Sequence, residues 1–132
     1  MVYEETVVLR LGFDEALSKV KEAFAEQGFG TLTEIDVQQV LRTKIGKEMR
    51  RYVIVGACNP HLASQALDEV PQIGVLLPCN VVVRETDDGV MVEAMDPGIM
   101  ATVTGHEGVR PIADEARARV SDALDSLQAL SV

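Results

Sequence analysis

The chain has 132 residues, 47% hydrophobic, 25% charged and only 4% aromatic, with no tryptophan. One domain spanning residues 1–132 accounts for that length, with a core built from Val, Leu, Ile, Ala and Met. With 21 acidic against 12 basic residues the net charge is −9, which repels phosphates and argues against nucleic acid or an anionic membrane as partner.

In chain order, "YEETVVLRL" (Tyr3–Leu11) carries β-branched residues with partial alternation and predicts a first strand. From Phe13 the positions Phe13, Ala16, Leu17, Val20, Ala23 and Phe24 recur at helical spacing, with Asp14 and Glu15 at the positive end of the helix dipole. Gly28 is the stop signal. "TLTEID" predicts a short strand running into Asp36 as a helix N-cap, and Val37, Val40, Leu41 and Ile45 form one face of a second helix ending near Gly46. The basic stretch at its end, "RTKIGKEMRR" (Arg42–Arg51), reads as a solvated helix end and loop.

A third strand over Tyr52–Ala57 leads to Cys58. Asn59 offers a side-chain oxygen to a helix start, and Pro60 suits the first helical position because it has no amide to satisfy. That helix must stop before Pro71. Ile73–Glu85 is apolar on both faces and predicts a central strand; the Asp-Gly of "ETDDGV" turns it back into "VMVEAM" as a hairpin. Residues 96–108 read mainly as loop, with room for a short strand at Ala101–Thr104. The final segment places Ala113, Ala116, Val120, Ala123, Leu127 and Leu130 at 3-4 spacing, a long amphipathic helix.

These elements predict an α+β domain: a mostly antiparallel sheet of about five strands with helices packed on one face. A flavodoxin-like α/β sheet is the competitor, and the hairpin and short second strand weigh against it. No apolar run approaches the ~20 residues of a spanning helix. "MVYEETVVLRLGF" has acidic residues where a signal peptide needs basic ones. The expected setting is the cytoplasm, where both thiols stay reduced.

The two cysteines both occur as Cys-Asn, in "GACNPH" and "LPCNVV". Cys58 stands just before a helix start, and free amides there lower a thiol pKa, which would make it a nucleophile or a soft metal ligand; the bland alternative is a small buried residue closing a strand. Cys79 reads as a core residue that becomes Cys58's neighbour if their strands pair, with Asn59 and Asn80 adding amide groups. Twenty residues separate them, so they form no Cys-x-x-Cys redox motif. Glu34 and Asp36 could divide acid and base roles, although Asp36 has a capping task. Asp96 before Pro97 is ordinary turn chemistry or a further polar ligand. "CNPH" is the only closely spaced metal-type pair, and no metal is expected from it. No phosphate loop or nucleophile elbow is present.

The run "EQGFGTLTEIDVQQVLRTKIGKEMRRYVIVGACNPHLASQAL", followed by "IGVLLPCNVVV" and "AMDP", resembles the domain of unknown function 302 family. The resemblance extends from about Val2 to Pro97, and more loosely through the last helix. The positions that carry it are Gly28, Gly30, Glu34, Asp36, Cys58, Asn59, Pro60, Pro78, Cys79, Asn80, Asp96 and Pro97; His61 departs from the pattern. The resemblance implies a small α+β fold assembled as a dimer and names no activity or cofactor.

Three functions fit. The first is a homodimeric small-molecule-binding module with its pocket at the Cys-Asn segments, built from Cys58, Asn59, Cys79, Asn80, Glu34 and Asp96, the dimer formed by the last helix or an exposed sheet edge. The second is a thiol-dependent enzyme or redox or metal protein using Cys58 as the catalytic thiol, with Cys79. The third is an interaction module without a site of its own.

Overall fold

The structure, a computed structural model, describes Tyr3 and residues 5–131. Glu4, within the expected first strand, and Val2, where the family resemblance starts, lie outside the described residues. Five strands, β1 (Val7–Leu9), β2 (Gly30–Asp36), β3 (Tyr52–Cys58), β4 (Cys79–Thr86) and β5 (Gly89–Ala94), form one sheet in the order β1-β5-β4-β3-β2. Every neighbouring pair is antiparallel, so the domain is α+β as its sequence predicts.

The helices are α1 (Phe13–Glu26), α2 (Val37–Ile45), α3 (Pro60–Glu69), α4 (Ile99–Thr104) and α5 (Arg110–Gln128). α1 and α5 pack together and share one core with the sheet. Their apolar stripes, including Val20 and Phe24 of α1 and Val120 and Leu124 of α5, meet Val7, Val53, Val81, Val83 and Val92 of the strands. Each such side chain taken from water contributes about 1.5–3 kcal/mol. Strand alternation sends the neighbours Ile54, Val82 and Met91 to the opposite face, where they are only half-buried. α2 has no buried residue.

Local chemistry sets the helix ends that matter for the site. α1 stops in a Schellman turn: Phe29 N–H donates to Phe24 O at 2.9 Å and Gly28 N–H to Ala25 O at 3.0 Å. Gly28 takes a φ of +84°, a conformation that costs an L side chain strain. Phe29 then packs edge-on against Phe24, with ring centroids 6.2 Å apart. α2 and α3 begin as expected, with Asp36 Oδ1 accepting from Gln39 N–H at 3.0 Å and Asn59 Oδ1 from Leu62 N–H at 3.2 Å.

Two expectations are corrected. Ile73 does not open the central strand: Pro71–Leu76 is a 3-10 turn, and the strand begins only at Cys79. Pro71 starts the turn and Pro78 has no amide for the ladder, so the run between them leaves the sheet: Ile73 is 1% exposed beside Ala66 of α3, whereas Val75 is 87% exposed. Residues 99–104 form α4 rather than loop or strand. Asp96 Oδ1 accepts from Gly98 N–H at 2.9 Å to start the turn, and Met100 and Ala101 are buried on one side of α4. Among the described residues no helix is long and apolar enough to cross a membrane.

Candidate functional site

The strand pairing that would join the two cysteines is present. β3 lies beside β4 with Ala57 opposite Cys79, and Cys58 follows Ala57, opposite Gly30 of β2. Both thiols are free, and both residues line a small pouch of about 20 Å³ under α3, with Leu62, Met100, Ile112 and Ala116. A space of that size holds about one water or one methyl group, and its walls are almost wholly apolar.

Beside the pouch lies a wider cleft of about 440 Å³, lined by Gly28, Asn59, His61, Gln65, Glu115 and Arg119 among others. Asn59, Leu62 and Ile112 belong to both spaces. The cleft is thus built where the end of α1, the start of α3 and the first half of α5 converge.

Asn59 stands at the junction. It is 6% exposed, the one buried polar residue among those described. Its Oδ1 is used by the helix cap, whereas its Nδ2 makes no hydrogen bond among the described residues. That amide cannot accept, so it presents two donors with no protein acceptor. Gly28 makes the room: a Cβ there would stand 2.8 Å from Asn59 Nδ2 and 3.4 Å from Arg119 Nη1.

Arg119 donates from Nε to Glu115 Oε1 at 2.9 Å, one turn earlier on α5, and from Nη1 to Gln27 O at 3.3 Å, at the end of α1. Its Nη2 has no partner among the described residues. His61 occupies the second helical position of α3, where an N–H has no carbonyl within the helix to bond. The cleft therefore gathers neutral and cationic donors at a helix N-terminus, with Glu115 as the opposing charge.

The thiols are shifted away from reactivity. Burial pushes the Cys58 thiol up, the reverse of the direction expected from a helix N-terminus. Asn59 also takes two amides of the first turn, its side chain binding Leu62 N–H and its carbonyl Ala63 N–H. Burial, with the neighbouring Cys58 adding to it, pushes Cys79 to about 11. Both favour the neutral thiol at neutral pH.

Of the residues singled out by sequence, Cys58, Asn59 and Cys79 come together and three do not. Asn80 follows Cys79 in a strand, so it points to the other face and is exposed. Glu34 bonds Lys21 Nζ at 2.7 Å, outside the cleft. Asp96 holds its own turn and accepts from Arg117 Nε at 3.1 Å. Among the described residues no group of three or more His, Cys, Asp or Glu is placed to hold a metal ion.

Sequence reasoning missed Gln65, Glu115 and Arg119 as lining residues. A signal for two of them exists. Ile112, Glu115 and Arg119 recur at 3-4 spacing beside the buried stripe of α5, a polar border on an apolar helix face. What they border depends on α3 crossing nearby, which no local pattern encodes.

No curated protein matches the chain. The crystal structure of an uncharacterized conserved DUF302 protein from Bacillus stearothermophilus superposes with a TM-score of 0.83 at 27% identity, covering 92% of this chain and 94% of that one. The family model described as domain of unknown function DUF302 matches residues 5–127. With nearly the whole chain matched, and the antiparallel α+β sheet the resemblance implied, the protein belongs to the DUF302 family.

Proposed function

We propose that the protein is a small-molecule-binding module whose ligand occupies the cleft at the start of α3, and that it works as a homodimer in the cytoplasm. The observation that carries the reading is the Asn59 amide, more than nine-tenths buried yet without an acceptor for its Nδ2. Among the described residues no fully buried side-chain polar atom lacks a partner, so this nitrogen is open to the cleft that Asn59 lines, where a ligand's acceptor reaches it. The cleft's volume of about 440 Å³ falls within the range of small-molecule sites. The raised thiols weigh against a thiolate nucleophile, so the cysteines serve as apolar lining.

For the dimer, the apolar stripe of α5 is already spent in the core, which leaves the sheet edge. β2 is paired on one side only. Leu32 is 66% and Ile35 46% exposed, and Ile45 of the adjoining α2 is 71% exposed. Two such edges pair antiparallel about a two-fold axis, and that arrangement protects a strand otherwise open to indiscriminate pairing.

The binding reading is tested by a thermal-shift screen of metabolites and cofactors against the wild type and Gln65→Trp, an exposed rim position whose enlargement blocks the cleft. Stabilisation by a true ligand grows with its concentration above the dissociation constant. A compound that stabilises the wild type and not Gln65→Trp is expected; no compound that separates the two rejects the cleft as a ligand site.

A further inference from the structure

The groups facing the cleft restrict what it can hold, given the reading of the cleft as a ligand site. Asn59 Nδ2 and the His61 N–H can only donate, and Arg119 Nη2 is a cationic donor. Asn59 Nδ2 and Arg119 Nη1 both border the space that a Gly28 side chain would fill, no more than about 6 Å apart. The α3 N-terminus adds positive potential from a helix of ten residues. An acceptor is required, and a charged one is favoured.

The size of that charge is limited. Glu115 already pairs with Arg119 at 2.9 Å, and the chain as a whole carries −9. A phosphate dianion would meet a half-neutralised guanidinium beside a carboxylate. A monoanion with two acceptor oxygens suits the donors present. Asn59, Leu62 and Ile112 also line the apolar pouch of about 20 Å³, which accepts a methyl-sized group and offers nothing to a polar one.

We propose that the cleft binds a small monocarboxylate, its carboxylate held by Asn59 Nδ2, the His61 N–H and the Arg119 guanidinium, its short apolar tail ending in the cysteine-lined pouch. The carboxylate keeps its charge and no bond is made or broken. Cys58 and Cys79 contribute shape: two neutral sulfurs that leave the pouch apolar.

The test is a titration of the ¹⁵N-labelled full chain with butyrate, butyramide and inorganic phosphate, followed by amide NMR. Butyrate is expected to shift the His61 N–H and the Asn59 side-chain amide saturably, with butyramide at least tenfold weaker because it lacks the charge-assisted bond. Asn59→Asp keeps the cap oxygen and replaces the donor by an anion, so it should lose butyrate by at least tenfold while its melting temperature shows that it folds. Arg119→Gln gives a second variant, read in the same way. Butyramide equal to butyrate, or phosphate binding these amides more tightly, overturns the carboxylate class. So does butyrate failing there while another compound still distinguishes Gln65→Trp; in that case the cleft stands as a site and only its ligand class is wrong. Failure of every compound in both experiments overturns the two readings together.

Discussion

Raising the pH should destabilise the protein through Cys79, a side chain 7% exposed whose thiol is moved from an ordinary 9.0 to about 11, first by burial and then by Cys58 beside it. In the folded chain this thiol keeps its proton where the unfolded chain has released it. The contribution is therefore fully present below pH 9 and is lost as pH rises through 11. A shift of this size corresponds to about 2–3 kcal/mol in the limit, of which about 1 kcal/mol is lost by pH 10. Against a total stability of about 5–15 kcal/mol for a domain of this kind, the loss is measurable by urea unfolding under reducing conditions. Tyrosines and lysines titrate in the same range, so the quantity to follow is the stability difference between wild type and Cys79→Ala. That substitution removes the sulfur's packing at every pH, but it removes the titration too. The difference should shrink by about 1 kcal/mol between pH 8 and pH 10. A difference that stays constant over that interval would refute the claim that Cys79 is held neutral by its surroundings.

Three further outcomes follow from the geometry. Gly56→Ala places a methyl against Thr33 Oγ1 and 2.8 Å from Pro78 Cγ, so it should lower the urea midpoint by the equivalent of about 1–3 kcal/mol, and a change within about 0.5 kcal/mol would mean that the strands open freely there. Leu32→Lys puts a charge on the exposed edge strand and should convert dimer to monomer by native mass spectrometry, with the melting curve of the monomer intact; an unchanged mass would move the interface elsewhere. Asn59→Ala removes the cap of α3 and should cost about 1 kcal/mol, while Asn59→Ser, which retains an oxygen, should recover most of it; equal losses would contradict the cap.

Much of the fold is legible along the chain because its signals are local. The stripe Phe13–Phe24 and the stop at Gly28 define α1, and Asn59-Pro60 marks the start of α3 to the residue. Proline is where local composition misleads: Ile73–Leu77 has a strand's composition, but prolines at both ends exclude it from the ladder. α4 was hidden because a six-residue helix shows less than two turns of periodicity and its buried residues, Met100 and Ala101, are adjacent. Half of the site was visible as well. Cys58, Asn59 and Cys79 follow from one pairing of strands, whereas Arg119 reaches the cleft through its bond to Gln27 O, 92 positions earlier, and such long-range closure leaves no mark in a window of sequence. Asn80 could have been set aside by alternation alone, since Cys79 and its successor cannot face the same side of a strand.

The strand order also dictates when the sheet can be completed. β2, β3, β4 and β5 neighbour one another in the order in which they are made, but Val7 of β1 pairs with Val92, about 85 residues later. The strand of this sheet that is made first is therefore the last to find its place, and until β5 exists it has no edge to join. Only three residues long, it closes the sheet with few hydrogen bonds and relies on Val7 and Leu9 seating under α5. Its amides should therefore be among the first in the sheet to exchange with solvent, and the half-made chain presents the edge of β5 until they arrive.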